Sequence, residues 1–520
     1  MKLRTWNCFH SLLTSAATMG RVANTTTEVT RLSRCCRISG SVLRSARLRT
    51  IIHWFRRDLR VSDNTSLHEA FSRSQTVIPF FCWDDAILRA PDVGAARVAF
   101  LLRSLESLSK NLEALGHRLI VRHGMPHEQL ALLAKEAKAE AVFANRDYEP
   151  YSRERDARVQ QALASVGVPF QSFKDSVAWE EREVLTGTGG VYTVFTPYSK
   201  AWRLRARPEP RPRLGTARSP VPATIASLPL PAASAELGHP LGHELFPAGE
   251  KAAQVALDAF VERKVFGYAT GRDHPADDTG TSRLSPHLRF GTINVRTLLK
   301  RLGEAKARAT TEDERRGCDI WESELIWREF YAQILANHPH VARGAFRPEY
   351  DRLEWSGKEE WFQAWCAGMT GYPIVDAAMR CLNATGWMHN RLRMVVSMFL
   401  TKDLLISWQR GERYFMQRLV DGDLAANNGG WQWSAGTGTD AAPYFRIFNP
   451  TSQAEKFDAD GRFVRRWIPE LSGVPDDAVH EPWKNPLWLS RGRYPRPIVD
   501  HSVQRERCLA MYKAVRMASN

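Results

Sequence analysis

Nine prolines fall within the forty residues from 208 to 247. A proline fixes its own φ and lacks an amide hydrogen, so neither helix nor sheet runs far through such a stretch. The chain must therefore fold as two bodies with a long connection between them. On the N-terminal side, short β-rich runs ("IIHWF", "TVIPFFCW", "HRLIVRHG", "AEAVFAN", "VPFQSF") alternate with amphipathic stretches. One such stretch is "AARVAFLLRSLESLSKNLEALG", apolar at Val98, Leu101, Leu102, Leu105 and Leu108. That alternation predicts a parallel sheet with helices on both faces, a doubly wound, Rossmann-like α/β domain over 51–180. No GxGxxG or GxxxxGK follows the first strand, which argues against a dinucleotide phosphate grip there. Residues 181–249 read as an interdomain linker. From 250 to 485 strand signals fade and helical periodicity predicts an all-α domain, with 486–520 as a C-terminal tail.

The charge is unevenly spread. Residues 1–50 hold nine Lys or Arg and one acid, Glu28, so +8 of the formal +15 lies there. Rich in Arg, Ser and Thr, this segment reads as a disordered extension, either an organellar transit peptide or the product of a start codon placed too far upstream. The remaining +7 suits a nucleic-acid partner without requiring one. Eight cysteines are scattered without a CxxC pair or metal-ligand spacing, which points to free thiols in a reducing compartment and to no metal. The longest apolar runs are too short to span a bilayer.

Seventeen tryptophans are a surplus, and several recur beside polar residues. Trp321, Glu324 and Trp327 follow at steps of three and share one helical face. A carboxylate between two indoles is either exposed beside the core or buried with a donor, and a hydrogen-bonding aromatic ligand would supply one. In "WMHNRLRM", Trp387, Asn390, Arg391 and Met394 sit at i, i+3, i+4 and i+7, so a helix here would place them on one stripe. Arg393 lies off that stripe and needs its own anion. "TGTSRLSP", 279–286, gathers hydroxyls and amides where a helix could begin, which can cradle a phosphate or merely cap the helix. "DGDLAANNGGWQW" sets two acids, two asparagines, two glycines and two tryptophans around one turn, more polar than packing requires.

Together "HWFRRDLRVSDN", "GTSRLSPHLRFG", "ELIWREFY", "TGYPIVDAAMRCLNATGWMHNRLRM" and "DGDLAANNGGWQW" resemble the photolyase/cryptochrome family of blue-light flavoproteins, from residue 53 to about "EPW" at 481–483. The nearest resemblance is to the bacterial-type cyclobutane pyrimidine dimer photolyases. It implies an N-terminal α/β domain, a long linker and a helical domain holding a U-shaped FAD. By this resemblance Tyr268, Thr281, Ser282, Arg283, Leu284 and Ser285 hold the phosphates and ribityl chain. Trp321, Asp421, Gly422 and Asp423 also contact the cofactor, with Arg393 paired to Asp421. Asn427 faces flavin N5, where a neutral amide suits an anionic reduced flavin better than a carboxylate would. Trp431, Trp408 and Trp355 form an electron-transfer chain to the surface. Glu324 hydrogen-bonds the dimer, and Trp327, Trp387, Asn390, Met394 and Trp433 line its pocket. Arg272, Arg391 and Gln453 contact the flanking DNA.

The implied activity is the light-driven, redox-neutral splitting of dimers flipped out of double-stranded DNA. Excited reduced FAD (FADH−) lends an electron, and no nucleophile or general base is required. "NRDYEPYSRERD", 145–156, resembles the antenna region, but Tyr151 and Ser152 stand where folate-binding relatives carry Asn and Glu. That leaves methenyltetrahydrofolate and an 8-hydroxy-deazaflavin both open as second chromophore. The alternatives are a cryptochrome-type photoreceptor, a DASH-type protein and a (6-4) photolyase. Asn427 argues against the first, Trp433 against the second, and Asn390 following His389 against the third. The resemblance further implies a monomer in a bacterial cytoplasm, or in an organelle if the first fifty residues are a transit peptide.

Overall fold

The computed structural model describes residues 48–242, 246–485 and 494–518. The expected N-terminal extension lies outside the described residues except for its last three positions, which already belong to the first strand.

Five strands, β1 (Leu48–Phe55), β2 (Ser74–Trp83), β3 (Ile120–His123), β4 (Ala141–Asn145) and β5 (Phe170–Phe173), form one all-parallel sheet in the order β3-β2-β1-β4-β5. The inner strands β1, β2 and β4 are buried on both faces because both faces are covered. Ile51 and Phe55 of β1 pack with Leu102, Leu105 and Leu108 of the Ala95–Ala114 helix. Ile52 and Trp54 pack on the opposite side with Leu130, Leu133, Val159 and Leu163. The order reverses between β1 and β4, so loops of opposite sense leave a crevice beyond their carboxyl ends.

The connection from 181 to 249 is not featureless. Its Phe195–Arg203 helix docks on the helical domain, where Trp202 Nε1 donates to Glu329 at 2.7 Å. From Glu250 onward the described residues contain helices and no strand. The longest helix, Glu312–Asn337, starts in a capping box between Thr311 and Glu314. The segment expected as a tail is instead partly helical. His501–Met517, N-capped by Asp500, buries Cys508 and Tyr512 against Tyr350, Leu353 and Leu405. Its apolar residues at i and i+4 give it a face to hide.

The two domains share a tight seam. Gly291 has φ +62°, and a Cβ there would fall 2.0 Å from the carbonyl oxygen of Arg57. Only glycine permits that approach. Leu59 N donates to Phe290 O at 3.1 Å, and Arg60 Nη1 to Gly291 O at 2.9 Å. The loop following β1 is thereby fastened to the turn that ends the Ser285–Phe290 helix. Among the described residues no helix is long and apolar enough to cross a membrane.

Candidate functional site

The Leu424–Ala435 helix is the centre of the site. Asp423 caps it by accepting from Ala426 N at 3.2 Å, and Gly436, in the left-handed region, ends it. Gly429 lets it close on the Glu312–Asn337 helix, since a Cβ there would lie 2.1 Å from Tyr331. Asn427 and Gly430 share a face at i and i+3, and a Cβ on Gly430 would meet nothing within 4 Å. That face opens onto space.

Asn427 Nδ2 donates to Glu412 O at 3.0 Å, while Asn428 Nδ2 donates to Glu412 Oε1 at 3.1 Å and to Val341 O at 2.9 Å. Burial pushes the Glu412 carboxyl up to about 7 against the pull of that Asn428 bond. One turn on from Asn427, at i+4, Trp431 is buried, with Phe415 at 5.0 Å and Trp365 at 6.1 Å between ring centroids. A Cβ at Gly411 would sit 2.1 Å from the Trp431 ring. Trp408 is buried in the same apolar cluster and Trp355 packs against it, so all three tryptophans meet in one cluster.

The acids of "DGD" are each held by a guanidinium. Arg393 Nη2 reaches Asp421 Oδ2 at 2.8 Å and Oδ1 at 3.1 Å. Asp423 pairs with Arg57, which also holds Glu149 at 2.5 Å. Burial alone would raise the Asp423 carboxyl, but Arg57, Arg289 and Arg328 together hold it below the usual carboxylate range. Between them the Gly422 carbonyl accepts from Arg289 Nε at 2.7 Å.

In the 281–285 segment Arg283 adopts φ +51°, a left-handed conformation uncommon outside glycine. Its guanidinium lies 4.6 Å from the Trp387 ring centroid and 4.8 Å from that of Phe246, and its buried Nε has no hydrogen-bond partner among the described residues. Leu284 is buried below, while Thr281 and Ser282 are half-buried and Ser285 is exposed. A cation with an unsatisfied N–H amid hydroxyls fits a polyanionic dinucleotide such as FAD.

Trp387 is therefore not where the helical stripe put it. Gly386, in the left-handed region, ends the Pro373–Thr385 helix, and the next helix begins only at Asn390, capped by His389. Trp387 lies in the break between them, outside the helix that carries Asn390, Arg391 and Met394, and packs against Arg283 and Phe246. Its Nε1 is buried without a partner.

Arg272 Nη1 and Glu324 Oε1 are 2.7 Å apart, and Arg272 also lies 5.6 Å from the ring centroid of buried Tyr268. Burial raises the Glu324 carboxyl while Arg272 opposes the shift. Trp321 is buried against Phe260 at 5.0 Å. Trp327 stacks face to face on Phe195, centroids 3.7 Å apart at 4°. Arg391 pairs with Asp273 at 2.6 Å and covers Phe457 at 4.4 Å. Phe457 closes the Pro450–Phe457 helix, which carries half-buried Gln453. Asn390 is exposed, and Met394 and Trp433 are half-buried. Sequence reasoning missed Asp273, Glu412, Phe195 and Arg57. Of these only Asp273 carried a signal, an acid directly following Arg272.

At the β1/β4 crevice a cavity of about 40 Å³ is lined by Arg57, Asp147, Glu149, Arg328 and Asp423 among others. Its volume suits a water molecule or two. In the antenna-like segment Tyr151 donates to Asp84 at 2.5 Å, and Ser152 is buried.

The sequence matches two families, DNA photolyase over residues 51–217 and the FAD binding domain of DNA photolyase over residues 321–514. Curated relatives include the deoxyribodipyrimidine photo-lyases of Synechococcus sp., 42% identical over 90% of this chain and 97% of that one, and of Escherichia coli, 42% identical over 90% and 99%. Among solved structures, a class III photolyase from Agrobacterium tumefaciens superposes with a TM-score of 0.83 at 37% identity, covering 92% of this chain and all of that one. An archaeal photolyase from Sulfolobus tokodaii, described with two FAD molecules, gives 0.76 at 34%, covering 89% of this chain and all of that one. With an N-terminal parallel sheet, a helical second domain and relatives of this identity along nearly their full length, the chain belongs to the DNA photolyase family.

Proposed function

We propose that this protein is a light-driven lyase that splits cyclobutane pyrimidine dimers in double-stranded DNA, with reduced FAD in the helical domain. The observation that carries this reading is that one helix, Leu424–Ala435, holds Asn427, Trp431 and Trp433 together. Six residues of helix span about 9 Å, so the flavin contact, the electron relay and a wall of the lesion pocket share one rigid backbone.

When bound, reduced FAD supplies the photoexcited electron that cleaves the dimer. The chain's own residues bind, orient and shield. Arg283, with Thr281, Ser282, Leu284 and Ser285, would hold the phosphates and ribityl chain, and Tyr268, Trp321, Arg393, Asp421, Gly422 and Asp423 would close around the rest. Asn427, tethered by Glu412 O, would present a neutral amide to the flavin. The lesion leaves the duplex and rests against Trp327 and Trp433, with Asn390 and Met394 beside it and Glu324 bonding its base edge. Arg272, Arg391 and Gln453 would form a rim for the flanking backbone, whose binding weakens with salt. Trp387, beside Arg283, belongs with the cofactor side.

A second chromophore, methenyltetrahydrofolate or 8-hydroxy-deazaflavin, would feed the flavin; the absorbance of the extracted pigments distinguishes the two. A monomer in the cytoplasm completes this reading. The deciding experiment loads the protein with FAD, reduces it and illuminates it with dimer-containing duplex while thymine absorbance is followed. Light-dependent recovery is expected. Its absence with fully reduced flavin would leave the photoreceptor reading in its place.

A further inference from the structure

Lys402 is fully buried, in a π-helical turn, Phe399–Asp403, that continues the helix carrying Asn390, Arg391, Arg393 and Met394. Such turns are rare and are often found at functional sites. A buried ammonium is costly unless an anion faces it, and among the described residues no carboxylate pairs with this one. A methionine would fill the space at less cost. The amine therefore has work beyond packing.

Its contacts show where that work lies. Nζ donates to Tyr444 O at 3.0 Å and lies 4.4 Å from the centroid of the Tyr512 ring. Tyr444 stacks on Tyr512, centroids 5.7 Å apart at 15°, and the Tyr512 hydroxyl donates to Ala435 O. The loop that Lys402 grips folds back on one residue, since Gly436 N and Ala442 N both donate to Trp433 O at 3.2 Å. A Cβ at Gly436 would stand 3.4 Å from Nζ, so the ammonium lies directly beneath the end of the Leu424–Ala435 helix.

We propose that Lys402 is a positioning residue for Trp433. Its ammonium ties the 436–444 loop to the helix that carries Asn390 and Met394, so two walls of the lesion pocket keep a fixed separation. The His501–Met517 helix supplies the floor through Tyr512. This inference rests on the reading of Trp433 as a pocket wall.

The groups facing Lys402 give the test a clear pH window. Burial pushes the lysine down to about 8 and the Cys508 thiol up to about 11, and it raises the Tyr512 phenol well above its ordinary value. Asp403, adjacent in the turn and paired with His501 at 2.5 Å, is raised by burial to about 6. Of Lys402, Asp403, Cys508 and Tyr512, only the lysine falls between pH 7 and 9, and its ammonium is lost as pH rises through about 8.

The experiment measures kcat and KM for light-driven repair of dimer-containing duplex by FAD-loaded, reduced protein from pH 7 to 9. In the wild type, KM should rise severalfold with a midpoint near 8 while kcat stays constant. Lys402→Met should raise KM about fivefold at pH 7, the loss of one charge-assisted hydrogen bond, and abolish the pH step. Its flavin content and absorption should match the wild type. Lys402→Arg should keep KM low across the range. A wild-type KM at pH 7 together with an intact pH step in Lys402→Met would overturn the proposal while leaving the repair reading untouched. A wild type that repairs nothing would overturn both. Should Lys402→Met fail to fold, Lys402→Gln takes its place, and a wild-type KM at pH 7 in that variant overturns the proposal.

Discussion

Arg272 and Glu324 meet as an ion pair at 2.7 Å, although both were assigned to the DNA side of the site. On the proposed reading, a dimer entering the pocket exchanges this partner for a base edge. Glu324→Ala is therefore expected to slow repair by about tenfold, the scale of one hydrogen bond to a charged group, while FAD content hardly changes. Parallel measurement of repair rate and bound flavin checks this, and equal loss of both would remove Glu324 from the lesion.

The same pair predicts a pH effect. Burial raises the Glu324 carboxyl and Arg272 restrains it, so Arg272→Met should let it titrate at higher pH still. Because a raised carboxyl carries its proton further toward neutrality, the acid-side limb of the repair profile should move to higher pH in the variant. An unmoved limb would mean that Glu324 does not govern it.

Gly411 touches the ring that begins the proposed electron relay. Gly411→Ala places a methyl group 2.1 Å from Trp431, which should displace the indole and cost about 1–3 kcal/mol of stability. Photoreduction of oxidised flavin, followed by transient absorption, should slow. Repair by chemically reduced protein should be far less affected.

Arg57→Met strips Asp423 and Glu149 of a shared cation across the domain seam. Removing one partner from a largely buried pair should cost on the order of 3 kcal/mol. Since the Asp423 carboxyl is depressed in the folded chain, its contribution is complete above about pH 4 and is lost on acidification. Denaturant melts of wild type and variant should therefore converge toward low pH.

Arg391→Ala should weaken binding of dimer-containing duplex and lower the slope of log K against log salt by about one, the signature of one phosphate contact. Because Arg391 also covers Phe457, a slope unchanged from wild type with lower stability would mark it as a packing residue.

Much of this is legible in the sequence. The five strands announce themselves by β-branched and aromatic runs between amphipathic helices, and the proline-rich stretch marks the change of domain type. Trp387 misled because periodicity assumes an unbroken helix, whereas Gly386 and His389 impose a break. The pairing of Arg57 could not be foreseen, since its partner Asp423 lies 366 residues away and nothing local demands it. The terminal helix was hidden by a short apolar pattern whose partners, Leu353 and Leu405, are remote in sequence. Nothing in the sequence marks Lys402, because burial of a charge depends on every neighbour at once.

The contact between Gly291 and the Arg57 carbonyl limits how this molecule can exchange parts with its kin. A recombinant whose crossover falls in the proline-rich connection would take its first strand loop from one parent and position 291 from the other. If the second parent carried any side chain at 291, the seam would be wedged open, and with it the anchor of the cofactor loop. Successful chimaeras should inherit residues 56–60 and 289–291 as one block.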